Sequence, residues 1–218
     1  NYSVLLSVPA MKRWPLEMRH LHRVRLRGVG DPVGPDQYGY YAFDNTDTTH
    51  DLAPVYEWIE IDPDLGGSGT SLGLTDYGRW QDDVETIDLP FTFRYYGQDF
   101  DRITICSNGW ISMGYSPLTN YRNWTIPGAG GPDAMLAGFW DDLIEVSGAG
   151  VYQWYDSANH RWIVEWSRFR NDYNGFIEPL ADPVLTAQNK AVVRFQNVPD
   201  ARVQGFELST GSRWWRRR

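Results

Sequence analysis

The sequence predicts an all-β fold, a jelly-roll-like antiparallel β-sandwich with long acidic loops, and three observations carry that prediction. Aromatic residues make up 15% of the 218, with 11 Trp, 13 Tyr and 9 Phe, and aromatic side chains favour the pleated, half-buried surface of a strand. The 21 Gly and 13 Pro cut the chain into short pieces, as an architecture of many turns requires. After residue 30 no stretch of ten or more residues repeats its apolar positions at the helical period. A chain of this length can bury a substantial core.

Residues 23–27, RVRLR, alternate at period two and form the first strand candidate, with Val24 and Leu26 inward. DPVGP at 31–35 then reads as a linker, because two prolines and a glycine oppose any regular element. Residues 38–43 are an aromatic strand candidate ended by the polar run DNTDTTHD. Residues 55–61 alternate Val55, Glu57, Ile59 and Ile61 against Tyr56, Trp58 and Glu60, which predicts a strand. Residues 62–83 form a long loop rich in Gly and Asp, of a length that usually serves a function or is ordered by an ion. A dense series of strands follows over 86–96, 102–106 and 110–114. Turns are expected at Tyr96-Gly97-Gln98 and at Ser107-Asn108-Gly109, the latter because Asn and Gly both tolerate positive φ. A second loop spans 115–133, and the apolar run 134–139 leads into Trp140-Asp141-Asp142. Residues 151–155 and 161–169 pair as a hairpin across DSANH, and 191–195 and 203–208 are the last strands.

Charge and cysteine content exclude several classes. The net charge of −8 conceals basic ends around an acidic body: residues 31–211 hold 10 bases and 27 acids, a net of −17. Such a body repels nucleic acid. The single Cys106 rules out an internal disulfide framework and any multi-cysteine metal site. No run of apolar residues reaches the length of a membrane span. The chain begins with Asn1, so it reads as a processed product or a fragment. The expected organisation is a basic N-terminal arm over 1–34, a β-sandwich module over 35–210 and a basic tail over 211–218.

The segment LPFTFRYYGQDFDRITICSNGWISMG, followed by NYRNWTIPG, AMLAGFWDDL and GAGVYQWYDSANHRWIVEWSRFRN, resembles a β-sandwich accessory module of large exported bacterial proteins. These include gingipain-like cysteine peptidases and other cargo with a sorting domain. The segment is more distantly similar to the nidogen-like extracellular domain. The resemblance covers roughly residues 35–171, resting on YYGQ, SNGW, FWDDL and the VEW strand together. It implies an extracellular or cell-surface module without catalytic residues of its own. Trp110, Trp140 and Trp166 sit within its motifs and are expected in the core.

The candidate sites follow from residue chemistry. Asp44, Asn45, Asp47 and Asp51 lie within eight residues and could supply oxygens to Ca²⁺, while Asp and Asn are also ordinary turn formers. Trp58, Trp80 and Trp124 lie in or near loops and are the candidates for exposed, ligand-stacking aromatics. On 151–155 Trp154 shares a face with Tyr152, and on 161–169 Trp162, Val164 and Trp166 share one. Either face could be a sugar platform or sandwich core. Asp141 and Asp142 with Glu165 could form a carboxylate pair for glycoside hydrolysis. Cys106 with His50 or His160 could pair as nucleophile and base, against the more usual buried, inert cysteine.

The function expected is therefore that of a non-catalytic extracellular interaction, adhesion or structural module. Its expected partners are neighbouring domains, a cell-surface protein or a polysaccharide, with self-assembly by strand addition using the N-terminal arm. Carbohydrate binding through exposed Trp and Tyr is the alternative, and a carboxylate hydrolase the third.

Overall fold

The computed structural model describes residues 2–7, 32–33, 40–44, 47–51, 53, 58–78, 81–122, 124, 126, 128–171, 190–197 and 204–210. Among them the regular structure is strand, save one short 3-10 turn, Pro63–Leu65. The strands are β1 (Tyr2–Ser7), β2 (Tyr41–Asp44), β3 (Thr70–Ser71), β4 (Val84–Tyr95), β5 (Gln98–Cys106), β6 (Trp110–Met113), β7 (Met135–Ala137), β8 (Leu143–Asp156), β9 (Arg161–Asn171), β10 (Lys190–Asn197) and β11 (Gln204–Thr210). They form two antiparallel sheets: seven strands in the order β2-β1-β11-β10-β9-β8-β3, and four in the order β4-β5-β6-β7. The all-β sandwich predicted from composition is the fold observed. β1, drawn from the expected N-terminal arm, lies between β2 and β11 in the chain's own sheet. The strand expected at 23–27 falls outside the described residues, as do Asp172 to Asn189 and the basic tail.

Two turns show how local chemistry sets the smaller sheet. β4 and β5 are joined by the two-residue turn Tyr96-Gly97, with φ of 46° and 78°; both residues are left-handed, which matches strand twist in a tight hairpin. The β5–β6 turn is built differently. Gly109 donates its N–H to the Cys106 carbonyl at 3.2 Å, and of the Asn-Gly pair only Gly109 is left-handed, at φ 75°. This is a three-residue loop closed by a glycine bulge, not the two-residue turn that Asn-Gly usually signals. A Cβ at Gly109 would lie 2.1 Å from the Phe139 carbonyl oxygen, so the position admits only glycine.

The main core lies between the sheets. Leu89, Phe93, Ile103, Ile105, Ile111, Met113 and Leu136 from the four-stranded sheet meet Leu143, Val151, Val164, Trp166 and Phe169 from the larger one. Trp166 also donates its indole N–H to the Cys106 carbonyl at 2.8 Å, bonding β9 to β5 across the sandwich. Pro90 sits where the β4–β5 register shifts between Asp88 and Phe93; a bulge on an edge strand is where a sheet tolerates proline.

Period-two alternation implies one buried and one open face per strand, yet β6 is buried at all four residues, and in β9 Ile163, Glu165 and Ser167 are as buried as Val164 and Trp166. The reason is that loops cover both outer faces. Residues 58–69 lie over β8 and β9, and the described residues of 115–131 over β6. The strand expected at 55–61 is accordingly not formed over its described part: Ile61 bonds a side chain and a loop glycine in place of a ladder.

Candidate functional site

The first covering loop is fastened by buried polar groups. Ile61 packs on Ile163, with Trp58, Ile59, Tyr152 and Trp154 around them. Its N–H donates to Glu165 Oε2 at 3.0 Å, and Gly69 N–H donates to its carbonyl at 2.8 Å. Asp62, wholly buried, caps the 3-10 turn by accepting from Asp64 N–H at 2.9 Å. Its other oxygen accepts from Ser167 Oγ and from Arg168 Nη2 at 2.5 and 2.9 Å. Arg168 also reaches Asp64 at 2.9 Å. Burial alone would make Arg168 less basic, but the Asp64 and Asp62 carboxylates outweigh it and hold the guanidinium above its ordinary pKa. The polar capacity of this loop is thus spent on attachment.

The second covering loop is organised by Asn120. The indole N–H groups of Trp110 and Trp140 both donate to the Asn120 carbonyl, at 2.9 and 2.8 Å. The Asn120 amide donates to the Gly130 carbonyl at 2.5 Å and its Oδ1 accepts from Arg122 N–H at 3.0 Å. One residue ties the loop to two buried tryptophans and to its own far end. Beneath it Cys106, Trp110, Met135 and Trp140 form a second small core. A further clasp comes from Asn108, fully buried, whose amide donates to Asp82 Oδ1 at 2.7 Å and the Thr119 carbonyl at 3.3 Å while its Oδ1 accepts from Leu143 N–H at 2.9 Å. On its outer side the loop presents Tyr115, Leu118, Trp124 and Ile126, exposed at 71, 43, 58 and 48%. The Trp124 indole rests on Gly130, where a Cβ would come within 2.7 Å of the ring.

The candidate residues fall out as follows. Trp124 is the exposed aromatic expected. Trp58 is instead half-buried in the first loop, its indole N–H 3.4 Å from Glu60 Oε2, and Trp80 lies outside the described residues. Trp110, Trp140 and Trp166 are in the core, as expected. Of the two aromatic strand faces, Trp162, Val164 and Trp166 belong to the main core, and Tyr152 and Trp154 pack beneath the first loop. Asp44 ends β2 and Asn45 is outside the described residues; Asp47 is buried and Asp51 exposed. Among the described residues no group of three or more His, Cys, Asp or Glu is arranged to hold a metal ion.

Asp142 precedes Leu143, which pairs with Asn171, six residues along β9 from Glu165. That is about 20 Å of strand, far beyond the carboxylate spacing of a glycosidase, and Glu165 faces the covering loop. Cys106 is fully buried and desolvation pushes its thiol well above the ordinary value, the inert state expected of a core cysteine. His50 lies edge-on to Phe43 and His160 in the β8–β9 turn.

Comparison with known proteins decides the family. A model described as "NIDO related" matches residues 62–196, which takes in the first covering loop from Asp62 onward, the second covering loop and the strands beneath them. The chain belongs to the NIDO-related family. No curated protein and no solved structure matches it. NIDO-related membership points to an extracellular module. No helix among the described residues is long and apolar enough to cross a membrane.

Proposed function

We propose that the chain is an extracellular interaction module whose contact surface is the loop over 115–131. The observation that carries this reading is Trp124: a large aromatic left open on a loop that Asn120 and Asn108 hold to the core. Contact residues held in place before binding lose little entropy on binding, and Trp and Tyr dominate the energy of protein interfaces. Leu118 and Ile126, exposed in the same loop, favour a protein partner over a sugar, because aliphatic side chains offer no ring to stack on a pyranose. The family gives the extracellular setting. Attachment within a larger exported bacterial protein, adhesion, and assembly with further copies are finer forms of the same reading.

Carbohydrate binding is the second reading, and the exposed rings of Trp124 and Tyr115 favour it, while Trp58 is half-buried. Surface plasmon resonance against panels of immobilised extracellular proteins and polysaccharides separates the two. Trp124→Ala and Ile126→Ala should each weaken a protein contact by about tenfold or more. A sugar platform would lose binding with Trp124→Ala and keep it with Ile126→Ala. Full binding by both variants would remove this loop from the contact.

A further inference from the structure

The segment 70–78 runs along the edge of β8. Thr70 and Ser71 pair with Gln153 and Tyr152, Leu72 N–H donates to the Val151 carbonyl at 2.8 Å and Glu145 N–H to the Asp76 carbonyl at 2.7 Å. Asp76 N–H donates to Glu145 Oε1 at 3.2 Å. The Asp76 carboxylate itself is 1% exposed. It accepts from Ser107 Oγ at 2.7 Å and from Gly78 N–H at 3.3 Å. Ser107 in turn accepts from Asp83 N–H at 3.1 Å and donates its own N–H to the Asp83 carbonyl at 2.9 Å. One buried carboxyl therefore joins the segment to the β5–β6 turn and, through Ser107, to Asp83.

We infer that residues 70–78 form a pH-sensitive clasp on the edge of β8, closed in mildly acidic solution and loosened toward neutrality, with Asp76 as its trigger. Among the described residues the groups around Asp76 are Asp82 and Asp83 further along the chain, Cys106 and Ser107 at the end of β5, and Asp142 and Glu145 at the start of β8. Among the described residues the charges acting on it, Asp82 and Asp142, are both negative. Burial is the largest influence; the Ser107 and Gly78 bonds oppose it only in part, and the carboxyl is pushed up to about 6. Burial moves Glu145 in the same direction. An exposed Asp titrates near about 3.9. Between the two values the closed segment holds a proton that the open one lacks, so closure is favoured at acid pH and weakens as pH rises through the folded value. Opening would bare the β8 backbone groups now bonded to Ser71 and Leu72, a ready template for another strand.

Hydrogen exchange of the full chain by mass spectrometry, with exposure times scaled for intrinsic chemistry, tests this. Peptides from 70–78 should lose about fivefold or more of their protection between about pH 5 and pH 7.5, while those from β5 and β9 hold theirs. Asp76→Asn should abolish the difference. Asp82→Asn keeps an oxygen for Asn108 and removes a repelling charge, so it should move the midpoint to lower pH. A flat wild-type profile, or a full pH response in Asp76→Asn, overturns the clasp. Should Asp76→Asn lose protection throughout β9, the Asp82→Asn midpoint decides, and one that stays or rises overturns it.

Discussion

Two loops cover the two outer faces of this sandwich, and they are fastened in opposite ways. Residues 58–69 reach into the sheet beneath with charge: Asp62 and Glu165 have no exposure, and Arg168 spans Asp62 and Asp64. Residues 115–131 are held by neutral groups, chiefly the Asn120 carbonyl and amide, and carry four large apolar side chains into solvent. In the first loop Leu65 is the large apolar side chain left open, at 39%. The contrast shows which loop is scaffold and which is surface. Where burial and polar bonds consume most of a loop's side chains, little is left for a partner; where backbone groups do the fastening, the side chains are free to meet one.

The largest expected effect comes from the first loop. Asp62→Ala removes the cap of the 3-10 turn and leaves Arg168, 16% exposed, without its buried partner. Breaking such a pair from one side costs about 3 kcal/mol or more, readable as a lower urea midpoint with partner binding intact. Asn120→Ala should cost about 1–2 kcal/mol, since the two indole bonds to its carbonyl survive while the Gly130 and Arg122 bonds are lost. Here binding should fall with stability, because the loop that carries Trp124 loosens. A smaller effect is expected in the β8–β9 turn. Burial works against ionisation of Asp156, but bonds from Asn159 and Arg161 prevail and hold its carboxyl below the ordinary value. Its contribution to stability is therefore present above the unfolded carboxylate range and lost as pH falls through the lower folded value. Arg161→Ala should lower the melting temperature by a few degrees at neutral pH and by less in strong acid. Trp124→Ala is expected to change stability least, within about 0.5 kcal/mol.

Most of the strand order was legible because it rests on alternation and turn residues. YYGQ marks the β4–β5 turn, SNGW the β5–β6 loop, and VEW the buried centre of β9. What alternation could not reveal is that both faces of β6 and β9 are covered. Glu165 in the VEW strand reads from the sequence as a candidate catalytic carboxylate; only the tertiary path of Ile61 shows it to be a loop anchor. Over its described part, residues 58–61, the expected strand gives way for the same reason, since Ile59 and Ile61 pack around Ile163 and join no ladder. Asn120 carries no sequence signal beyond an Asx turn to Arg122, because its chief bonds run from indoles ten and twenty residues away. Trp124 could be read as exposed from its setting among Asn, Pro and Gly; Trp58 could not be separated from it.

The most direct test of the contrast is a paired substitution across the two loops, Trp124→Ala against Leu65→Ala, with surface plasmon resonance on the same immobilised extracellular proteins. The account expects both variants to keep the wild-type melting temperature, Trp124→Ala to lose about tenfold or more in affinity, and Leu65→Ala to bind as wild type. Equal loss in both, or loss confined to Leu65→Ala, would contradict the assignment of residues 115–131 as the contact surface.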